Sequence, residues 1–291
     1  ITESRVFIRG PSGSGKELIA RKIHKSSNRN KNAFVILNGA LLDFNKYELE
    51  LFGEEKENGA ISYGALEKAN KGTLLIDQVS EIPLDIQSKI LRVLTDQKFK
   101  RVNGNNDVTV DVRLICSSSK DLKKEIEIGN FREDLFHRIN VFEINIEPLN
   151  QRISDIPLLI KYFSKKISEN YKIKNLDIDE NNSYILNHNW HGNVRELRNL
   201  IERIAILQPE TKDKVSNIIK ESLKNTSYDD QMAENSLSIP LKEAREKFEK
   251  EYLTIQLKKF NGNISKTANF VGMERSALHR KLKGLGIKEF N

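Results

Sequence analysis

Near the start of the chain, Gly10-Pro11-Ser12-Gly13-Ser14-Gly15-Lys16 combines three glycines, two serines and a lysine in a spacing suited to binding a polyphosphate. Glycine lets the backbone wrap an anion without Cβ clashes and aim successive N–H groups at it. Lys16 would reach the outer phosphates. Glu17 stands where such loops commonly carry the Ser or Thr that ligates Mg²⁺, so a metal must be held from elsewhere. Asp77 closes the apolar run Leu74-Leu75-Ile76. A carboxylate at the end of such a strand holds Mg²⁺, directly or through water, in phosphate-loop enzymes. Gly10, Pro11, Ser12, Gly13, Ser14, Gly15, Lys16, Glu17 and Asp77 are the candidate cofactor-binding residues, with Asp77 the candidate metal ligand.

These residues need a strand before the loop and a helix after it. Val6-Phe7-Ile8 and the stretch Lys16–Ser26 supply both, which argues against a plain Gly/Ser turn that happens to hold a lysine. Apolar runs predict strands at Arg5–Arg9, Phe34–Asn38, Thr73–Asp77, Val112–Ser117 and Phe142–Ile146. Helix-period segments lie between them, such as Leu84–Thr95, with Ile86, Ile90, Leu91 and Leu94 on one face. The alternation predicts an α/β fold with a parallel sheet covered by helices. Asn103-Gly104-Asn105-Asn106 predicts a hairpin turn. After Pro148 the pattern is all helix, at Ile156–Tyr171, Ile178–Asn187 and Val194–Leu207. The expected domains are an α/β nucleotide-binding core over 1–148, a helical lid over 149–225, a polar linker over 226–240 and an all-α domain over 241–291.

The last segment offers a second kind of chemistry. Asn261 to Leu282 reads as a helix-turn-helix: Asn263 or Ser265 caps the first helix, Gly272 sits at the turn, and Leu278 and Leu282 face inward. Arg275, Ser276 and His279 would then lie near base edges in the major groove, with Arg280, Lys281 and Lys283 reaching phosphates. The alternative is a helical hairpin with a solvated basic face. From Leu241 to Asn291 twelve lysines and arginines face six acids, so most of the chain's net charge of +7 lies here. That bias suits a polyanionic partner.

At 291 residues the chain can hold two or three domains. Its one cysteine, Cys116, has no intrachain partner and reads as a buried strand residue. No apolar run spans a membrane and no signal peptide is visible, so the expected compartment is the cytoplasm. The first residue is Ile and the phosphate loop follows almost at once, which reads as a fragment of a longer protein. The histidines suggest no metal site.

Longer motifs carry a family resemblance. Gly72-Thr73-Leu74 with Asp77-Gln78, Glu50-Leu51-Phe52-Gly53, Phe131-Arg132-Glu133-Asp134-Leu135-Phe136-His137-Arg138 and Trp190-His191-Gly192-Asn193-Val194-Arg195-Glu196-Leu197 together resemble the AAA+ activators of sigma-54 RNA polymerase. Within that family the chain is most similar to the NtrX-type nitrogen-regulation response regulators without their N-terminal receiver domain. The resemblance implies an AAA+ phosphate-loop ATPase core with a helical lid and a Fis-type helix-turn-helix. It implies ATP and Mg²⁺ as cofactors and a ring in which Arg132 and Arg138 reach a neighbour's γ-phosphate. It places Arg195 on the phosphates of its own subunit. It also implies a dimer through the Leu241–Lys259 helix on a palindromic DNA site, contact with sigma-54 polymerase, and input from a sensor histidine kinase.

The departures from the family pattern matter as much. Gln78 replaces the Walker B glutamate that activates water, and a carboxamide cannot accept a proton as a carboxylate does. Ser118-Ser119 replaces the Thr-Asn of sensor I, leaving Ser119 a hydroxyl but no amide. The catalytic candidates are thus Gln78, Ser119, Arg132 and Arg138. The segment Glu54–Tyr63 carries Gly59-Ala60-Ile61-Ser62-Tyr63 in place of the polymerase-gripping loop motif, which argues against direct remodelling. Three readings follow: an ATP-binding DNA-binding transcription regulator with weakened hydrolysis, an active ATPase that remodels the polymerase, and a DNA-binding protein whose AAA+ module is only a scaffold.

Overall fold

The structure is a computed structural model and describes residues 3–41, 46–173, 176, 178–209, 211, 213–223, 241–260 and 262–286. The expected linker 226–240 and the expected end of the lid at 225 lie outside the described residues. The chain divides into two compact units, Ile1–Ile219 and Lys220–Asn291.

The strands in chain order are β1 Val6–Arg9, β2 Phe34–Asn38, β3 Gly53–Glu55, β4 Ile61–Tyr63, β5 Thr73–Asp77, β6 Lys98–Lys100, β7 Asp107–Thr109, β8 Arg113–Ser118 and β9 Phe142–Asn145. The helices are α1 Lys16–Lys25, α2 Tyr47–Phe52, α3 Ala65–Lys68, α4 Leu84–Asp96, α5 Leu122–Glu127, α6 Glu133–Ile139, α7 Ile156–Tyr171, α8 Ser183–Leu186 and α9 Asn193–Leu207. They continue with α10 over 213–223, α11 Leu241–Lys259, α12 Ile264–Val271 and α13 Arg275–Gly284.

Five strands form one parallel sheet in the order β2-β5-β8-β1-β9. The expected strands are present within a residue at each end. Their continuous apolar runs follow from burial on both faces. Leu74, Ile76, Leu114 and Cys116 pack into one core, while Leu75, Ile115, Val6 and Ile8 pack into another on the opposite face. Each such Leu or Ile stabilises the fold by ~1.5–3 kcal/mol when fully buried. The register pairs Arg9 with Ser118 and Ile76 with Cys116. It thereby gathers the C-terminal ends of β1, β5 and β8 at one edge, where ligands of open α/β sheets bind.

The expected hairpin is formed by β6 and β7. A second hairpin, β3–β4, occupies the segment Glu54–Tyr63 and exposes Ile61 and Tyr63. It is tied to the first by the Glu55 N–H donating to the Val102 carbonyl at 3.0 Å. One helix expectation fails: Ile178–Asn187 is helical only over Ser183–Leu186. The Asn182 side chain accepts from the Tyr184 and Ile185 N–H groups and starts the helix there. Asx and Glu residues before it favour turn and cap conformations over helix interior.

In the second unit α11, α12 and α13 share a small core of Leu253, Leu257, Ala268, Leu278 and Leu282. Asn263 caps α12 by accepting from the Lys266 N–H at 3.0 Å, and Gly272 turns the chain at φ +69°. Among the described residues no helix is long and apolar enough to cross a membrane.

Candidate nucleotide site and DNA-facing helix

The loop between β1 and α1 is held open by backbone geometry. Gly13 has φ +75° and Gly15 φ +104°, the left-handed region where side chains other than glycine are strained. The Gly10 N–H donates to the Ser118 carbonyl at 3.3 Å, which seats the loop on the end of β8. The Lys16 side chain is buried and donates to the Gly10 carbonyl at 2.8 Å and the Pro11 carbonyl at 3.1 Å. Burial pushes its ammonium below the usual lysine range, Asp77 opposes that, and Arg195 adds to it. Ser14 Oγ is buried with no hydrogen-bond partner among the described residues. A buried cation bonded to two carbonyls, beside an unpartnered hydroxyl, suits this loop to an anion.

The lid clamps the same loop. Asn193, the first residue of α9, donates to the Ser12 carbonyl at 3.0 Å and accepts from the Leu149 N–H at 2.8 Å. The Arg195 N–H donates to the Gly13 carbonyl at 3.3 Å, and its guanidinium donates to Ser12 Oγ at 3.3 Å. Arg152 donates to the Ser14 carbonyl at 2.9 Å. A methyl group on Gly13 would come within 2.2 Å of the Gly192 carbonyl oxygen, so the lid closes directly on the loop. Behind this turn Glu196 accepts from His188 at 2.9 Å and from the Gly192 N–H at 2.9 Å. Burial alone would raise the Glu196 carboxyl, but these two bonds hold it below its ordinary value.

At the ends of β5 and β8 four side-chain pairs join the two strands. Asp77 accepts from the Ser117 hydroxyl. Gln78 Oε1 accepts from the Ser119 N–H at 3.1 Å and from its hydroxyl at 2.9 Å. Ser118 Oγ lies 3.2 Å from Ser80 Oγ, and Lys120 pairs with Glu81 at 2.9 Å.

Several expected residues stand elsewhere. Glu17 turns outward and pairs with Arg21 one turn along α1 at 2.8 Å, so it does not face the loop; at i,i+4 on an exposed face that pairing is the local minimum. Arg132, at the N-cap of α6, holds Asp134 through two bonds of 3.0 and 2.7 Å. Arg138 donates to the Leu94 carbonyl at the end of α4 at 3.2 Å, a position it shares with Arg5. Arg152 and Asn193 were not singled out by sequence. Their partners lie 138 and 44 to 181 residues away, and no local spacing signals such contacts.

In the second unit Arg275, Ser276, His279, Arg280 and Lys283 are exposed along α13, with Leu278 and Leu282 buried beneath. An open concavity of about 650 Å³ is lined by Glu274, Arg275, Ser276, His279 and Arg280. Lys281 departs from expectation: it is half-buried and pairs with Glu249 of α11 at 2.8 Å, so its charge braces the helix pair instead of facing outward. On α11 Phe248, Tyr252 and Ile255 are exposed, and the first two rings stack at 6.0 Å. The side chains of Leu241 and Ala244, expected on the same face, lie outside the description.

Comparison with known proteins places this geometry in a family. Residues 1–145 match the Sigma-54 interaction domain, residues 150–235 the AAA+ ATPase lid domain, and residues 244–285 the bacterial regulatory protein, Fis family. The nitrogen assimilation regulatory protein NtrX of Azorhizobium caulinodans is 45% identical over 98% of this chain and 64% of its own length. NtrX of Brucella abortus, solved in complex with ATP, is 46% identical with a TM-score of 0.71, over 98% of this chain and 64% of the other. The same protein solved with ADP gives 47% identity and a TM-score of 0.74 over the same shares. The chain thus spans a little under two thirds of these relatives. Its α/β phosphate-loop core, helical lid and Fis-type helix-turn-helix, matched segment by segment, make it a member of the AAA+ sigma-54 activator family, with NtrX response regulators among its relatives.

Proposed function

We propose that this chain is an ATP-binding, sequence-specific DNA-binding transcription regulator of the NtrX-like sigma-54 activator type, acting in a two-component pathway and hydrolysing ATP weakly. The observation that carries the reading is the loop at Gly10–Lys16. Its positive-φ glycines, its unpartnered Ser14 hydroxyl and its buried Lys16 fit an anionic polyphosphate. Lys16 and the backbone N–H groups of Gly13 and Gly15 would hold the phosphates, joined by the Ser14 N–H once it leaves the Pro11 carbonyl 3.3 Å away, and Arg195 would contact them from the lid. Asp77 would hold Mg²⁺, which is bound through one or two carboxylates plus phosphates and water in such sites. When bound, the metal neutralises phosphate charge. Glu17, paired with Arg21, is not a ligand in this arrangement.

Gln78 supports weak hydrolysis. General-base assistance is worth ~10²–10⁴ in rate, and a carboxamide supplies none. Ser119, committed to Gln78, is a poor substitute for a water-aligning amide. Arg132 and Arg138 act across a ring interface on a neighbour's nucleotide, each first leaving its present partner. The core 1–148, lid 149–225 and linker 226–240 deliver nucleotide state to the DNA-binding domain 241–291. There α13 enters the major groove, with Arg275, Ser276 and His279 at base edges and Arg280 and Lys283 at phosphates. The exposed Phe248, Tyr252 and Ile255 of α11 support a dimer on a palindromic site.

The β3–β4 hairpin in place of a longer loop weighs against direct polymerase remodelling, and the intact cradle weighs against a pure scaffold. Two measurements test the reading together. The Arg275→Ala and Arg280→Ala variants should each weaken binding to a selected DNA site, Arg275→Ala relaxing sequence preference and Arg280→Ala lowering the salt dependence. Unchanged binding in both would refute the groove assignment. Steady-state hydrolysis should rise at least tenfold in Gln78→Glu; a wild-type rate already as high would favour the active ATPase.

A further inference from the structure

We propose that Gln78 reads the terminal phosphate of a bound nucleotide as a hydrogen-bond donor, so that its carboxamide makes the site favour a triphosphate over a diphosphate. This rests on the nucleotide-binding reading above and adds a specificity-determining residue to it. The Ser119 backbone N–H stands 3.1 Å from Gln78 Oε1, and the Ser119 hydroxyl 2.9 Å from the same atom. A backbone N–H only donates, so the atom facing it is the amide oxygen, and the carboxamide cannot flip without losing that bond. The Gln78 NH₂ group therefore points away from Ser119, and it has no hydrogen-bond partner among the described residues.

The residues next to Gln78 and Ser119 meet the phosphate loop. Ser119 follows Ser118, whose carbonyl accepts the N–H of Gly10, the first residue of the phosphate loop. Gln78 follows Asp77, which is near enough to Lys16 to favour its charged form. Gln78 and Ser119 thus each stand one residue along the chain from a residue that meets the phosphate loop. Gln78 also sits at φ 57° and ψ 53°, a left-handed conformation unusual for a residue that is not Gly, Asn or Asp. Backbone strain of this kind concentrates at functional sites. A glutamate here would accept from the same two Ser119 donors and turn its other oxygen, an anion, toward the phosphates. Glutamine reverses that polarity and presents N–H to phosphate oxygen. A γ-phosphate gains this bond; a diphosphate does not extend to it.

The test is calorimetric titration of the full chain with ADP and with AMP-PNP, a non-hydrolysable ATP analogue. The wild type should bind AMP-PNP more tightly than ADP. Gln78→Met, of similar length with no donor, should cut that preference about tenfold, the worth of a hydrogen bond to a charged group, and leave ADP affinity within about twofold. Ser119→Ala keeps the backbone donor and should cut the preference by less. A preference unchanged within about twofold in both Gln78→Met and Gln78→Ala overturns the proposal. So does a wild type that binds both nucleotides equally. A wild type that binds neither overturns the nucleotide-binding reading with it.

Discussion

Replacing Asn193 by alanine should unfasten the lid from the phosphate loop, and the cost follows from two separable terms. Asn193 is buried, and its Oδ1 accepts the N–H of Leu149, itself fully buried. Alanine leaves that N–H without an acceptor, at about 1–3 kcal/mol. Asn193 also has φ +53°, which asparagine tolerates and alanine does not, at about 1–2 kcal/mol. The sum is about 2–5 kcal/mol. Asn193→Gly removes the side chain but tolerates the backbone conformation, so it should lose about 1–3 kcal/mol. The chain's single tryptophan, Trp190, is a built-in probe: it is buried three residues away, its indole N–H donating to the Ile185 carbonyl at 2.9 Å. In urea unfolding followed by its fluorescence, a mid-range slope of about 2 kcal/mol per molar converts the alanine loss to a midpoint shift of about 1–2.5 M. An alanine midpoint unchanged from wild type would refute the clamp. A glycine variant as damaged as alanine would refute the backbone term.

Three further outcomes are expected. Gly13→Ala should abolish nucleotide binding and lower the Trp190 unfolding midpoint, because its methyl group meets the Gly192 carbonyl at 2.2 Å on a positive-φ residue; retained affinity would contradict this. Glu196 titrates below its ordinary value in the fold, so its contribution is full above the unfolded carboxyl pKa and is lost as pH falls through the lower folded value. His188→Ala removes one of the bonds responsible and should move the acid-unfolding midpoint to higher pH, whereas an unmoved midpoint would show the pair to be idle. Burial drives the Cys116 thiol far above its ordinary range, so iodoacetamide at pH 8 should label it in urea but not in the native protein, as mass spectrometry would show.

The sheet was legible because both of its faces are buried. Leu74-Leu75-Ile76 and Leu114-Ile115-Cys116 alternate between two cores, and so read as unbroken apolar runs. The phosphate loop was legible because its chemistry is local, a glycine pattern between one strand and one helix. The clamp was not. Arg152 and Asn193 act through bonds to carbonyls, and carbonyls carry no sequence identity. The orientation of Gln78 was equally hidden, since it depends on an N–H contributed from 41 residues away. Ile178–Asn187 misled because its apolar spacing is helical while Asn182 captures the N–H groups of the residues that follow. The partnership of Lys281 with Glu249 shows the limit of reading a basic helix by charge alone, since a lysine's position on a helical face does not reveal which acid it meets.

Calorimetric titration of the full chain with ATP and Mg²⁺, beside the Lys16→Ala variant, is the most direct measurement. One site per chain is predicted for the wild type, with affinity falling at least about tenfold when the buried ammonium is removed, since a hydrogen bond to a charged group is worth about that much. Wild-type protein that takes up no ATP, or Lys16→Ala protein that binds it equally well, would contradict the cradle at Gly10–Lys16 and all that has been built on it.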